Sequence, residues 1–147
     1  MVQKIQEVKR ILIPTDGSDY SMRAAVLGIS MGKLLGAEVT VIYVIDTVSL
    51  EQISKLSERD GVESELKQDG ERYFRYIRSL AEEEGVKIAT LMSKGRPFEQ
   101  IVYQAKSLGI SLIVMGTYGR RGTDRILIGS VAERVIEYSP CPVLVVR

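Results

Sequence analysis

The chain has 147 residues, of which 45% are apolar and 27% charged, and its formal net charge at neutral pH is +1. This length and composition fit a single globular domain, residues 1–147, and the balanced charge argues against nucleic-acid or membrane partners. Histidine is absent and cysteine occurs once, which excludes histidine-based nucleophilic catalysis, most zinc sites and an internal disulfide framework.

Apolar runs in the sequence are all short. None reaches the length needed to span a bilayer, and the first residues lack the apolar core of a signal peptide. We therefore expect a cytoplasmic protein.

Five apolar, strand-like segments recur along the chain. They comprise residues 10–14, 38–46, 86–92, 111–115 and 142–146. Segments that are apolar throughout are typical of parallel strands covered on both faces, whereas the alternation within 86–92 predicts an edge strand.

Four helical patterns separate these strands. They lie at residues 18–35, 63–84, 97–108 and 129–139. Gly36 follows the first pattern where a helix C-cap belongs. Ser130 and Glu133 match the S-x-x-E capping box, which predicts that Ser130 caps the last helix. Residues 47–62 fit either a short helix or a mobile flap.

The alternation of strands and helices predicts the α/β class: one open, doubly wound, five-stranded parallel sheet with helices on both faces. In such sheets ligands bind beyond the carboxyl ends of the strands, where the strand order reverses. With the order 3-2-1-4-5, that crevice lies between the first and fourth strands. The loops that border it are residues 14–18 and 116–129.

The second of these loops carries a distinctive pattern. The strand runs into Gly116-Thr117-Tyr118-Gly119, and after nine further residues Gly129-Ser130 opens a helix. The glycines permit a sharp turn and close approach of a ligand, and a helix start offers unpartnered N–H groups. This arrangement is typical of phosphate sites.

Arginines make the same loop locally basic. Arg120, Arg121 and Arg125 lie between the glycines, and the guanidinium group suits bidentate phosphate contact. For Arg121 and Arg125 a solvated position in a basic loop is the alternative interpretation.

The spacing Gly-x-x-Gly, nine residues, Gly-Ser resembles the ATP-binding branch of the universal stress protein family. Further segments resemble that family in the same order along nearly the whole chain, and only residues 47–62 have no counterpart. The matching segments are residues 11–18, 41–46, 95–97 and 141–146.

The resemblance implies ATP or a related adenine nucleotide with Mg²⁺ as the ligand, and a homodimer formed through residues 142–146. The implied site residues are Pro14, Thr15 and Asp16 beside the ribose and adenine, Val44 at the adenine, Met115 and Gly116 at the ribose, and Gly119, Arg120, Gly129, Ser130 and Val131 at the phosphates. Tyr118 and Tyr43 stand where the family often has histidine, which argues against proton transfer at those positions.

Asp16 has two interpretations. Its carboxylate is placed to hold Mg²⁺ through water or to contact a ribose hydroxyl, or it forms an Asx turn that begins the first helix.

Three functions follow from these patterns. The leading hypothesis is an ATP-binding regulatory module of the stress response without strong catalysis, because no catalytic base accompanies the glycine-serine pattern. The alternatives are a slow Mg²⁺-dependent ATP hydrolase using Asp16 and a pure dimerisation scaffold.

Overall fold

A computed structural model describes residues 6–118 and 128–147, and within them there are five strands and five helices. The strands are β1 (Arg10–Pro14), β2 (Glu38–Asp46), β3 (Ile88–Gly95), β4 (Leu112–Gly116) and β5 (Val143–Val146). The helices are α1 (Asp19–Leu35), α2 (Thr47–Glu51), α3 (Leu56–Glu83), α4 (Pro97–Ser107) and α5 (Ser130–Tyr138).

The strands form one parallel sheet in the order β3-β2-β1-β4-β5. This confirms the predicted class, the strand order and the edge position of β3. The order reverses between β1 and β4, which are adjacent through the pairs Ile11↔Leu112 and Leu12↔Ile113. The loops after these two strands therefore leave from the same edge of the sheet.

Each face of the sheet is covered by two long helices, because successive side chains of the strands point to opposite faces. Ile11 and Ile13 of β1 belong to one buried cluster with residues of α1 and α3. Leu12, between them, belongs to a second cluster with Ile101 of α4 and Val135 of α5. This double burial explains why the central strands are apolar at every position.

Helix α1 is capped at both ends, and of these caps only the C-cap at Gly36 was predicted. Ser18 precedes it, and the side chain of Ser18 accepts a hydrogen bond from the Ser21 N–H. Gly36 follows its last residue with φ of 64°. The Gly36 N–H closes the last turn by donating to Gly32 O. The left-handed conformation at this position favours glycine.

The predicted capping box of α5 is wrong by one residue. The N-cap is Gly129, and Ser130 is the first residue of the helix. The Gly129 carbonyl accepts the first helical hydrogen bond, from the Glu133 N–H at 2.9 Å, which places the cap at a residue without a side chain.

The segment at residues 47–62, for which a short helix or a flap was expected, holds the short helix α2 and the start of α3. Asp46 caps the short α2 by accepting from the Val48 N–H at 2.9 Å. Arg59 donates to the Ile53 carbonyl with Nε and Nη2, at 3.0 and 2.6 Å, and this fixes the connection to α3. Helix α3 begins at Leu56 rather than at residue 63. The prediction missed this first part of the helix because its mainly polar residues show no regular apolar spacing.

Strand β3 is displaced from its predicted bounds. It runs from Ile88 to Gly95 instead of residues 86–92. The Val86 N–H donates to Ala81 O at 2.8 Å and so belongs to the end of α3. At the other end, pairing with β2 continues as far as Asp46↔Gly95.

Helix α3, with 28 residues, has the length to span a bilayer. It is nevertheless densely charged. No helix within residues 6–118 and 128–147 combines the length and the apolarity that crossing a membrane requires.

Candidate functional site

The carboxyl edge of the sheet gathers most of the residues predicted to form the site. Chain segments 14–16 after β1, 115–116 at the end of β4 and 129–131 at the start of α5 meet there, with Val44 near the end of β2. Gly119 and Arg120, also predicted for the site, lie outside the described residues.

Thr15 joins the end of β1 to the start of α1. Its N–H donates to Ile42 O at 2.9 Å, and its buried hydroxyl is hydrogen-bonded to Ser21 Oγ at 3.2 Å. Pro14, which precedes it, is also buried. The side chain of Thr15 therefore holds the loop in shape.

The same hydrogen bond orients Val44. Because Ile42 directs its carbonyl to β1, and main-chain groups of a strand face alternate sides, the N–H and C=O of Val44 also face the β1 side. Strand β1 ends at Pro14, opposite Ile42. The main chain of Val44 is thus directed into the space above the end of β1.

Asp16 forms the predicted Asx turn. Its Oδ1 accepts from the Ser18 N–H at 3.0 Å, just before Ser18 caps α1. The residues that the structure describes contain no group of three or more His, Cys, Asp or Glu side chains that could hold a metal ion. Any cation at Asp16 would therefore need further ligands from a bound molecule or water.

Tyr73 of α3 forms a wall of this loop that the sequence analysis missed. Gly17 has φ of 81°, and a Cβ there would overlap the Tyr73 ring. Tyr73 also contacts the ring of Tyr43 edge to face, with centroids 5.9 Å apart. No local signal marks a helix residue that approaches a loop far away in the sequence.

Gly116 ends β4 and allows α1 to pack directly on the strand. A Cβ at this position would lie 2.8 Å from the Tyr20 carbonyl carbon and 2.9 Å from the Ser21 N. The neighbouring Met115 directs its side chain into the cluster below α4 and α5. The space on the Cβ side of Gly116 is therefore filled by a helix, and a ligand would approach from the main-chain edge.

Thr117 is buried and uses all its main-chain and side-chain polar groups. Its N–H and its Oγ1 both donate to the Val146 carbonyl, at 2.8 and 2.9 Å. Its carbonyl accepts from the Gly129 N–H at 2.6 Å. Sequence analysis passed over this residue because a threonine between glycines has no pattern of its own.

Gly129 brings the start of α5 against the chain that follows β4. Its φ of −69° suits any residue, so the need for glycine is one of space. A Cβ would lie 2.8 Å from the Thr117 carbonyl oxygen and 3.2 Å from the Tyr118 Cα. We call this backbone contact between Thr117, Tyr118 and Gly129 the loop neck.

The first turn of α5 begins at the loop neck and supplies donors. Glu133 is the first residue whose N–H bonds within the helix, to Gly129 O. The N–H groups of Ser130, Val131 and Ala132 precede it and so have no acceptor within the helix. The partial positive charge of a helix start favours an anion beside these groups.

A separate groove of about 460 Å³ runs between α1 and α3. It is lined by Asp19, Met22, Arg23, Val26, Tyr76 and Leu80. Its lining is mainly apolar, and its one cation is balanced by one carboxylate. It lacks the convergent donors found at the loop neck.

Comparisons with known proteins agree on one family. The profile described as the Universal stress protein family matches residues 7–147. Universal stress protein MJ0531 of Methanocaldococcus jannaschii is 45% identical over 139 residues, which cover 95% of this chain and 82% of that protein.

Solved structures show the same fold. The structure of MJ0577, a hypothetical protein whose biochemical function was assigned from its structure, has a TM-score of 0.84 and 31% identity and covers 96% of each chain. A universal stress protein in complex with cAMP has a TM-score of 0.69 and 21% identity over 97% of this chain and 98% of that one. The universal stress protein from Archaeoglobus fulgidus in complex with dAMP has a TM-score of 0.68 and 21% identity over 95% of this chain and 98% of that one.

Proposed function

The chain belongs to the universal stress protein family, and from this premise we propose that it is an ATP-binding regulatory protein. In this proposal the nucleotide binds with Mg²⁺ across the carboxyl ends of β1 and β4. The protein acts in the cytoplasm as a homodimer of the stress response, and catalysis is at most slow.

The loop neck is the observation that carries this proposal. It holds the start of α5 against the end of β4, at the point where the strand order reverses. In this proposal the Ser130 and Val131 N–H groups bind the phosphates, and Gly119 and Arg120, outside the described residues, add further contacts. A hydrogen bond to a charged group contributes about 1.5–3 kcal/mol, so three or four of them support micromolar affinity after the costs of ordering.

The main chain of Val44 supports adenine as the base. Its N–H and C=O face the space above β1, and in this proposal they pair with the edge of a purine. Two proteins of this fold have been solved in complex with adenine nucleotides, cAMP and dAMP. Both observations favour an adenine nucleotide in the crevice, with Pro14, Thr15 and Asp16 beside the ribose.

The outer edge of β5 supports the homodimer. The carbonyls of Pro142 and Val146 accept hydrogen bonds from the N–H groups of Ile113 in β4 and of Thr117 just after it. The N–H and C=O of the alternate residues Val143 and Val145 therefore face outward. Such an edge is able to pair with the same strand of a second copy.

Apolar side chains extend this edge on both faces of the sheet. Tyr20, Leu27 and Leu34 share one side of α1, and Tyr20 contacts Tyr118 just beyond β4, so this side is turned towards β4 and β5. Leu27 and Leu34 are 38% and 84% exposed. On the other face α5 presents Ile136, which is 44% exposed. Pairing through β5 would cover these side chains.

Equilibrium titration with ATP, ADP, AMP, cAMP and GTP, each with and without Mg²⁺, tests the proposal. We expect ATP to bind with micromolar affinity, affinity to fall as phosphates are removed, and GTP to bind more weakly because its base edge differs. Absence of ATP binding at millimolar concentration would reject it.

A further inference from the structure

We propose that Thr117 is a positioning residue that links nucleotide binding to dimerisation. It holds the loop neck on one side and, on the other, the end of β5, the strand proposed to form the dimer. The two binding events then strengthen one another. This inference rests on the proposed function and adds to it a regulation of the same site.

The hydrogen bonds of Thr117 connect the two regions directly. Its carbonyl holds the Gly129 N–H at 2.6 Å and so closes the loop neck. Its N–H and Oγ1 converge on the carbonyl of Val146, the last residue of β5. One buried residue therefore fixes the start of α5 and the end of β5 in relation to each other.

The second bond to Val146 makes the connection tighter than ordinary strand pairing requires. The bond from the Thr117 N–H simply continues the pairing of β4 and β5, which includes Gly116↔Val146. The bond from Oγ1 is additional and is made by a residue that is only 2% exposed. A buried hydroxyl keeps such a bond because losing it leaves the group unsatisfied.

Coupling follows from the position of β5 at the sheet edge. One side of the strand pairs with β4, and the other side, at Val143 and Val145, is the edge proposed to meet a second copy. Pairing on that side would order β5 and, through Val146 and Thr117, the loop neck. A nucleotide that orders the loop neck would order β5 by the same bonds. By linkage, ATP must then strengthen dimerisation and dimerisation must strengthen ATP binding.

Two substitutions at Thr117 separate the contribution of its hydroxyl group from that of its main-chain hydrogen bonds. Thr117→Val keeps the shape and the main-chain bonds but removes the Oγ1 bond to Val146. Thr117→Ser retains the hydroxyl and serves as the rescue control. Sedimentation equilibrium with and without saturating ATP and Mg²⁺ measures the dimer Kd, and titration at protein concentrations below and above that Kd measures the ATP affinity.

In the wild type we expect ATP to lower the dimer Kd by roughly tenfold, within the usual range of coupling between two sites. Because the dimer holds two ATP sites, dimerisation should raise the ATP affinity of each site by the square root of this factor, about threefold. Thr117→Val should reduce the factor for the dimer Kd to below about threefold, and Thr117→Ser should keep it near the wild-type value.

Failure of the coupling and failure of the proposed function give different experimental results. A wild type that binds ATP but dimerises equally well with and without it overturns the coupling and leaves the proposed function intact. An unchanged factor in Thr117→Val overturns the role of the Thr117 hydroxyl. A wild type that binds no ATP overturns the proposed function and the coupling with it. The wild-type measurement decides the coupling even if Thr117→Val does not fold.

Discussion

The main chain of Tyr20, in the first turn of α1, lies directly against Gly116 at the end of β4. A methyl group at Gly116 would approach the Tyr20 carbonyl carbon to 2.8 Å and the Tyr20 Cβ to 2.9 Å. The two sides of the proposed nucleotide crevice are thus held together by a contact that only glycine allows.

Gly116→Ala should therefore destabilise the fold. The added methyl group meets backbone, which cannot rotate away, so α1 or β4 has to shift. Overpacking of this kind costs about 1–3 kcal/mol in the free energy of unfolding, and guanidinium denaturation measures that loss. A variant as stable as the wild type would show that α1 does not rest on Gly116.

Two glycines of α3 provide a matched pair. A Cβ at Gly70 would overlap the Tyr43 ring and lie 2.8 Å from the Met92 Cε, whereas a Cβ at the exposed Gly61 meets nothing within 4 Å. Gly70→Ala should lower the free energy of unfolding by about 1–3 kcal/mol. Gly61→Ala should raise it by about 0.5–1 kcal/mol, because alanine favours the helix. Equal effects on the melting temperature would refute the close packing of α3 on β2.

Val145→Pro tests the dimer edge. The Val145 N–H faces away from β4, so proline should leave the sheet intact while removing a donor from the outer edge. We expect the dimer Kd to rise at least about tenfold, the effect of losing roughly 1.4 kcal/mol of pairing. Val145→Thr keeps the N–H and should dimerise like the wild type in sedimentation velocity. Dimers of unchanged affinity in Val145→Pro would place the interface elsewhere.

Asp16→Asn distinguishes a regulatory protein from a hydrolase. Asparagine retains the side-chain oxygen that accepts from the Ser18 N–H, so the Asx turn should persist while the negative charge is lost. We expect ATP turnover of the wild type to stay below about 1 per second, the lower end of ordinary enzymes. Faster turnover that disappears in Asp16→Asn, with ATP affinity preserved, would favour the hydrolase.

Apolar patterning predicted the sheet well because its central strands are buried on both faces. It located the start of α3 poorly, since the first turns of that helix are largely exposed and have no regular apolar spacing. Apolar patterning also did not predict that Gly116 contacts α1. A glycine at the end of a strand predicts a close approach, but the sequence does not show that the approaching group is α1.

The same reasoning explains the result at α5. Ser130 and Glu133 fit a capping box, yet the N-cap is Gly129. The close backbone contacts of the loop neck leave no room for a side chain at that position. Thr117 escaped prediction because its partners, Val146 and Gly129, become neighbours only in the folded sheet.

Titration of ATP into the wild type and Gly129→Ala, side by side, tests the central claim most directly. The added Cβ would meet the Thr117 carbonyl oxygen at 2.8 Å and open the loop neck, while Gly61→Ala controls for the added methyl group. We predict micromolar ATP affinity for the wild type and Gly61→Ala, and at least about tenfold weaker binding, the loss of one charged hydrogen bond, for Gly129→Ala. Equal ATP affinity in all three proteins would contradict the account.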